Sequence, residues 1–159
     1  MLQKASLSNF EFFYNLYMHP EVNPFLLYEI MPPEDFKPIF EKLIHEGVLY
    51  VFIDNQIAVG MCKLIPLTYR CSHITYLGGV GIVPKYFGKG LGKKMLLEII
   101  AFCKSNGMSR IELSVATHNH KAFQLYENVG FQKEGMLKNY GFLKSDNRFI
   151  DEYLMAILL

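Results

Sequence analysis

The stretch VGIVPKYFGKGLGKK, residues 80–94, places glycines at alternate positions, with lysines among them, directly before an apolar helical pattern. The start of a helix carries about four unpaired N–H groups and about half a unit of positive charge. Glycines also allow a phosphate to approach the backbone closely. The stretch therefore predicts a binding site for a phosphate or pyrophosphate group. The residues concerned are Gly88, Lys89, Gly90, Leu91, Gly92 and Lys93.

The loop does not follow the two common nucleotide-binding patterns. A Walker loop needs a glycine where this chain has Phe87, and a serine or threonine where it has Lys94. A dinucleotide-binding loop needs its third glycine at Lys93 and an acidic residue at the end of the next strand. A nucleotide hydrolase that uses this loop is therefore disfavoured. For the glycines alone, a flexible turn that caps a helix is the remaining alternative.

Composition limits the partners and the setting. The chain of 159 residues is 51% hydrophobic, which predicts one domain, residues 1–159, with a substantial core. Its 16 lysines and arginines nearly balance 15 aspartates and glutamates, so no global charge favours nucleic acid or an anionic membrane. The three cysteines lack metal-ligand spacing and fit reduced thiols. The cysteine spacing therefore predicts no bound metal. The N-terminus lacks a cleavable apolar segment, so we expect a cytoplasmic protein.

Hydrophobic periodicity predicts strands and helices that alternate around the loop, and hence a mixed α/β sheet. Ser8, three residues before Glu11, has the spacing of a capping box and predicts the start of the first helix. The glycines of the strand at 73–83 suggest a bulge. The predicted strands are 2–5, 48–65 as two strands around a turn at 54–55, 73–83, 110–116, 131–143 and 148–159, and the predicted helices are 8–17, 33–46, 91–106 and 119–130.

Further short motifs follow the glycine loop at regular spacing. With the loop, the motifs are Val80–Pro84, Gly88–Gly92, Asn119, Ala122, Leu125–Glu127 and Gly130–Phe131. Together they resemble the GNAT superfamily of acetyl-CoA-dependent N-acetyltransferases, from about Leu49 to the C-terminus. The resemblance implies a mixed, mostly antiparallel seven-stranded sheet, splayed between the fourth and fifth strands and flanked by about four helices.

The C-terminal part of the chain narrows the resemblance. Its motifs are Glu134–Gly135, Tyr140, Asp151 and Met155. They resemble the branch that contains bacterial amino-acid N-acyltransferases and ribosomal-protein N-terminal acetyltransferases. Exposed strands near the C-terminus would also allow a homodimer.

The resemblance implies roles for the loop and its neighbours. The loop would wrap the pyrophosphate of acetyl-CoA, and Val80, Gly81 and Ile82 of the preceding strand would pair with its pantetheine arm. Asn119 would contact the pantetheine region, and Tyr126 would protonate the departing coenzyme A thiolate. Without the resemblance, these two residues would be interpreted as a helix cap and a core aromatic. Because the family loop usually opens with Arg or Gln, Phe87 predicts weaker affinity for the cofactor.

The group that accepts the amine proton is left open by the sequence. The strand at 73–83 contains no Asp or Glu, although many family members place the base there. In RIELSVA, alternation leaves Glu112 and Ser114 on the same face, and related enzymes carry a glutamate at the position of Ser114. Glu112 is thus our candidate base, against an ordinary solvated strand residue. His73 is a second candidate, against a structural histidine.

Substrate recognition is predicted in the aromatic segment FLLYEIM, residues 25–31. Glu29, beside Tyr28, would bind the ammonium group of the substrate, although a surface carboxylate is the alternative. A lysine-like amine with a pKa of about 10.4 costs roughly 4 kcal/mol to deprotonate near pH 7, whereas a peptide α-amine near 8 costs under about 1 kcal/mol. The absence of an assigned base therefore favours a free amino acid or a peptide N-terminus over a lysine side chain. The predicted acceptor is a primary amine, namely an amino acid, a small amine or a peptide N-terminus.

The sequence thus predicts direct transfer of an acetyl group from acetyl-CoA to a primary amine, without a metal or a covalent enzyme intermediate. Phe87 and the missing strand carboxylate motivate one alternative, a non-catalytic module that binds or senses acyl-CoA. Release of coenzyme A in the presence of amines distinguishes the two functions.

Overall fold

The structure is a computed structural model that describes residues 1–159. Its centre is a seven-stranded sheet in the order β1-β2-β3-β4-β5-β7-β6. This architecture confirms the predicted fold class. The strands are β1 (Leu2–Lys4), β2 (Leu49–Asp54), β3 (Ile57–Pro66), β4 (Ile74–Ile82), β5 (Arg110–Ala116), β6 (Gln132–Leu143) and β7 (Arg148–Leu158), and the helices are α1 (Phe10–Tyr17), α2 (Pro33–Glu46), α3 (Leu91–Ser105) and α4 (His120–Glu127).

The strands β4 and β5 form the only parallel pair of the sheet, and they separate along their length. Pairing joins Ile74–Tyr76 to Arg110–Glu112 and then stops. Beyond Tyr76, β4 continues to Ile82 and stays paired with β3 alone. A gap therefore opens between the C-terminal ends of β4 and β5, as the family resemblance implied.

Each face of the sheet packs against its own pair of helices. On one face, Met95, Ile99 and Cys103 of α3 join Tyr126 of α4 in a buried cluster that includes Ile111 of β5. On the other face, α1 and α2 form a second cluster with β2 and β3. Side chains alternate between the faces along a strand, so every second residue of β5 points toward α1 and α2. Glu112 and Ser114 are among these alternate residues.

A bulge interrupts β4 where its glycines lie. The pairing register with β3 shifts between Met61, opposite Gly81, and Lys63, opposite Gly78. Gly79 within this shift has a φ of +56°, which side-chain-bearing residues rarely adopt. A Cβ at Gly79 would also lie 2.6 Å from the hydroxyl of Tyr17. Both conformation and space therefore require glycine at this point.

The first helix begins differently from the prediction. A short turn of 3₁₀-helix at Leu7–Asn9 precedes α1, and Ser6, not Ser8, is its N-cap. The backbone N–H of Ser6 donates to Oδ1 of Asn9 at 2.9 Å, so Asn9 takes the capping role that we expected of Glu11.

None of the helices combines the length and the apolar character needed to cross a lipid bilayer.

Candidate active site

The glycine loop ends at the N-terminus of α3 with its backbone facing open space. Gly88 and Gly90 have φ values of +73° and +77°, and Gly90 is the N-cap residue of the helix. No protein atom lies within 4 Å of the position that a Cβ would take on either glycine. No acidic residue occupies the first turn of α3. The unpaired N–H groups of the first turn therefore lie beside a free volume that suits an anion.

Gly92 has a different part in the loop. A Cβ at Gly92 would come 3.0 Å from Cδ2 of Leu125 in α4. Its missing side chain allows the first turn of α3 to approach α4 closely. The glycine thus keeps the loop next to the helix that carries Tyr126.

The lysines around the loop are not equivalent. Lys94 forms an ion pair with Asp54 at the end of β2 and is directed away from the loop. The ammonium of Lys89 lies 5.3 Å from the ring centre of Tyr86, in a cation–π arrangement. Lys93 is exposed and forms no ion pair. Lys89 and Lys93 are therefore the cations available to an anion at the loop, while Phe87 is itself exposed (47%).

The unpaired edge of β4 leads from the gap to the loop. Gly81 and Ile82 pair with β3 on one side, and no strand pairs with them on the other. Val80 precedes them on the same free edge. Because backbone groups of alternate residues point to opposite sides of a strand, the N–H and C=O groups of this segment that do not bond to β3 face the gap. An extended ligand can form strand-like hydrogen bonds with them. A short turn, Pro84–Tyr86, connects the segment to the glycine loop.

Tyr126 lies in α4, and Asn119 is the N-cap residue of the same helix. Tyr126 is 7% exposed, and its ring packs edge-on against Phe131 with 5.8 Å between ring centres. Burial raises the pKa of the Tyr126 hydroxyl, with a smaller contribution from Tyr76, so the hydroxyl holds its proton at neutral pH. The side-chain oxygen of Asn119 caps α4 by accepting from the N–H of Ala122 at 3.2 Å. This cap leaves the amide NH₂ of Asn119 free to donate.

The opposite side of the gap carries a polar group of side chains on β4 and β5. The hydroxyls of Tyr76 and Ser114 form a hydrogen bond of 2.8 Å across the two strands. Glu112 lies opposite Tyr76 at the last paired position, and its Oε2 accepts from Nε of Arg110 at 3.2 Å. Arg110 also donates to Glu134 of β6, at 2.8 Å from Nη1 to Oε1. Glu112 is therefore held in an ion-pair network at the point where the strands separate.

A cleft on the α1–α2 side adjoins the same end of β5. Tyr28 and Glu29 line it, so the structure brings together the two residues predicted for substrate recognition. Ala116, the last residue of β5, and Glu152 of β7 form the opposite wall. Glu152 and Tyr76 were missed by the sequence analysis. Only their alternation on the face of Glu112 and Ser114 could have indicated them.

His73 does not belong to this group of residues. It lies just before β4, at the end where β4 and β5 are paired, and its carbonyl accepts from the N–H of Ser109 at 3.0 Å. Since a strand rises about 3.3 Å per residue, His73 lies roughly 10 Å along the strand from Tyr76, where the gap begins. Its role as the second candidate for the proton acceptor stays a prediction.

Comparisons with known proteins identify the family. Residues 10–131 match the model of the acetyltransferase (GNAT) family, and the chain belongs to that family. It is 36% identical to N-alpha-acetyltransferase RimI of Mycobacterium tuberculosis over 61 residues, which are 38% of this chain and 37% of that protein. The matched stretches span 37% to 44% of the first curated relatives.

Solved structures extend the likeness over the whole chain. Ribosomal-protein-alanine N-acetyltransferase from Brucella melitensis superposes with a TM-score of 0.81 at 19% identity, over 100% of this chain and 99% of that chain, and shares the fold. Spermidine N-acetyltransferase from Vibrio cholerae, solved with CoA and spermine, has a TM-score of 0.86 at 25% identity. That comparison covers 99% of this chain and 94% of the other.

Proposed function

We propose that this protein transfers an acetyl group from acetyl-CoA directly to a primary amine. The observation that carries the proposal is the gap between β4 and β5, which runs into the open glycine loop and passes the protonated Tyr126. Membership of the acetyltransferase family supports it, as does the CoA in the related spermidine N-acetyltransferase.

Acetyl-CoA would lie along the gap with its pyrophosphate at the loop. Backbone amides of the glycine loop, with the ammonium groups of two lysines, would hold the pyrophosphate. The free edge of β4 would bind the pantetheine arm, and the side-chain NH₂ of Asn119 would donate to it. The proposed cofactor-binding residues are Val80, Gly81, Ile82, Gly88, Lys89, Gly90, Leu91, Gly92, Lys93 and Asn119.

The reaction needs one nucleophile and two proton transfers. The amine nitrogen attacks the thioester carbon, and backbone N–H groups around Gly81 and Ile82 stabilise the oxyanion of the tetrahedral intermediate. The intermediate then collapses, and the C–S bond breaks with its electron pair on sulfur. Tyr126 donates its proton to that sulfur. The conjugate thiol has a pKa of about 8.5, so the thiolate leaves more readily when a proton is transferred to it.

Glu112 is the proposed acceptor for the amine proton, and its ion pair favours an indirect route. Nε of Arg110 lies 3.2 Å from the Glu112 carboxylate, so a direct contact with the amine would compete with that bond. A water between the amine and Glu112 can carry the proton without breaking the pair. Tyr28 and Glu29 of the cleft would receive the rest of the substrate.

The substitution Glu112→Gln tests this role. It keeps an oxygen for Arg110 and removes the basic carboxylate. We expect kcat/KM to fall by about threefold to tenfold near pH 7 and to recover as the pH rises, because more amine is then already neutral. A pH profile of initial rates gives the answer. Unchanged rates across the profile would mean that Glu112 serves only the Arg110 network.

Release of thiol from acetyl-CoA across a panel of amines tests the proposed function itself. The panel should contain amino acids, small amines and peptides with free N-termini. We expect coenzyme A release with at least one class of amine. Binding of acetyl-CoA without release of coenzyme A for any amine would favour the alternative, a non-catalytic module that binds or senses acyl-CoA. The exposed Phe87 in the loop is the observation that favours this alternative.

The setting of the reaction is also part of the proposal. We infer one acetyltransferase domain over residues 1–159, acting in the cytoplasm without a metal or nucleic acid. The exposed rings of Phe142 and Phe149, 5.0 Å apart on β6 and β7, provide apolar surface for a homodimer. Sedimentation or light scattering would determine the oligomeric state.

A further inference from the structure

Lys63 is a buried lysine on the substrate side of the sheet. It lies in β3 and is 6% exposed. Its alkyl chain covers the bulge of β4, since Cε lies 3.5 Å and 3.2 Å from the positions that a Cβ would take on Gly78 and Gly79. The same bulge leads into the free edge of β4 that is proposed to bind acetyl-CoA. Lys63 is therefore close to the proposed reaction centre.

The charge of Lys63 is not matched by an acidic partner. No carboxylate lies within 4 Å of its ammonium, and its ring contact is with Tyr28, at 5.2 Å from the ring centre. Burial lowers the pKa of Lys63, and the carboxylate of Glu46 offsets this only in part. Buried lysines in proteins are nearly always paired, because desolvation of an isolated ammonium is costly. No carboxylate of the chain therefore pairs with the Lys63 ammonium, and an anion from outside the chain could do so.

A second unpartnered group points to the same place. The hydroxyl of Tyr17, in α1, is buried and forms no hydrogen bond. It lies 2.6 Å from the Cβ position on Gly79, next to the Lys63 chain. Burial raises the pKa of this hydroxyl, so it remains a donor. An ammonium and a hydroxyl that both donate at one place suit the oxygens of a carboxylate.

The neighbouring cleft offers the opposite charge. Glu29 and Glu152 line the cleft, and Tyr28 belongs both to the cleft and to the surroundings of Lys63. The substrate side of the sheet therefore presents carboxylates in the cleft and an ammonium without an ion-pair partner near Tyr28, which also lines the cleft. A substrate with both charges matches this arrangement, whereas a polyamine brings only positive charge to Lys63.

We propose that the acceptor is a free amino acid, whose carboxylate is bound by Lys63 and the hydroxyl of Tyr17 while its amine faces the thioester. This inference rests on the proposed acetyltransferase function and narrows its substrate class. Lys63 is then a residue that determines specificity, and Glu29 and Glu152 help to attract the ammonium.

The test compares each L-amino acid with its own α-carboxamide, and with spermidine, in a coenzyme A release assay. Each rate is divided by the concentration of unprotonated amine, because the α-amine of a carboxamide has a lower pKa than the α-amine of the amino acid itself. We expect kcat/KM to favour the best amino acid over its amide by at least tenfold. Lys63→Met should collapse this preference to within about twofold, and Lys63→Arg should restore part of it.

Controls separate recognition from folding. Lys133→Met removes another lysine that lies over a tyrosine ring, at 3.9 Å from Tyr153, and should leave the preference unchanged. Tyr17→Phe should raise KM for the amino acid more than for the amide. It should also raise the melting temperature of the ligand-free protein, because an unpaired buried hydroxyl is removed.

Two results would overturn the inference. One is equal or better acetylation of the amides or of spermidine by the unmodified protein. The other is an equal loss for acid and amide in Lys63→Met, which would mean that Lys63 acts on the thioester. Acetylation of any of these amines would leave the proposed function intact, whereas acetyl-CoA binding without turnover would contradict the function itself.

Discussion

Replacing Tyr126 by phenylalanine is expected to lower kcat by at least tenfold while acetyl-CoA affinity changes little. The substitution keeps the ring against Phe131 and removes only the hydroxyl. A positioned general acid typically contributes about 10²- to 10⁴-fold to the rate. Cofactor binding depends mainly on the loop and on β4, so the loss should be seen in the chemical step. Steady-state kinetics at saturating amine, with chemistry shown to limit turnover, measure it.

Tyr153→Phe is the matched control for the Tyr126 experiment. Tyr153 lies in β7 and packs against Phe123 of α4, the helix that carries Tyr126, with 5.3 Å between ring centres. Tyr153 is not part of the proposed site. Its loss of a hydroxyl should leave kcat unchanged. Full activity of Tyr126→Phe would mean that water protonates the thiolate and that Tyr126 is a packing residue.

Replacing Gly90 by valine is expected to abolish acetyl-CoA binding. Acetyl-CoA at about a hundred times its dissociation constant should stabilise the unmodified protein by about 2.7 kcal/mol. In the variant, a β-branched side chain would occupy the open volume in front of the helix N-terminus and would strain a φ of +77°. Thermal unfolding with and without acetyl-CoA measures the loss as a missing rise in melting temperature.

Gly107→Val controls for the strain that valine introduces at Gly90. Gly107, just after α3 at its other end, has the same φ of +77° and also has no atom within 4 Å of a Cβ position. Both variants should therefore lose similar stability without ligand, and only Gly107→Val should keep the shift with acetyl-CoA. A folded Gly90→Val protein that binds acetyl-CoA normally would refute the loop assignment.

The fold could be predicted largely because its signals are local. Helices α2 and α3 begin and end at prolines and glycines that the sequence shows directly, and the alternation in β5 sets its two faces. The family and the splayed sheet were also confirmed. They could be predicted because each motif is short and the motifs follow one another in a fixed order along the chain. The start of α1 was wrong because Ser6 and Ser8 both have a capping-box partner three residues on, and the structure uses the pair Ser6 and Asn9.

The site depends on contacts between distant parts of the chain, which the sequence does not show. Arg110 contacts both Glu112 and Glu134, and this network follows from the pairing of β5, β7 and β6. Lys63 was missed by the sequence analysis, because it is one charge in an apolar strand and its relation to Tyr17 depends on the bulge in β4. The roles assigned to Tyr126 and Glu112 remain predictions.

The fate of the acetyl group tests the central claim most directly. The protein is mixed with acetyl-CoA and a mixture of amino acids and amines, and mass spectrometry follows the acetyl group through the first turnovers. We predict equal amounts of N-acetylated amine and coenzyme A, with no acetyl group on the protein. Coenzyme A released without an acetylated amine, an acetylated protein intermediate, or bound acetyl-CoA that is never consumed would contradict direct transfer.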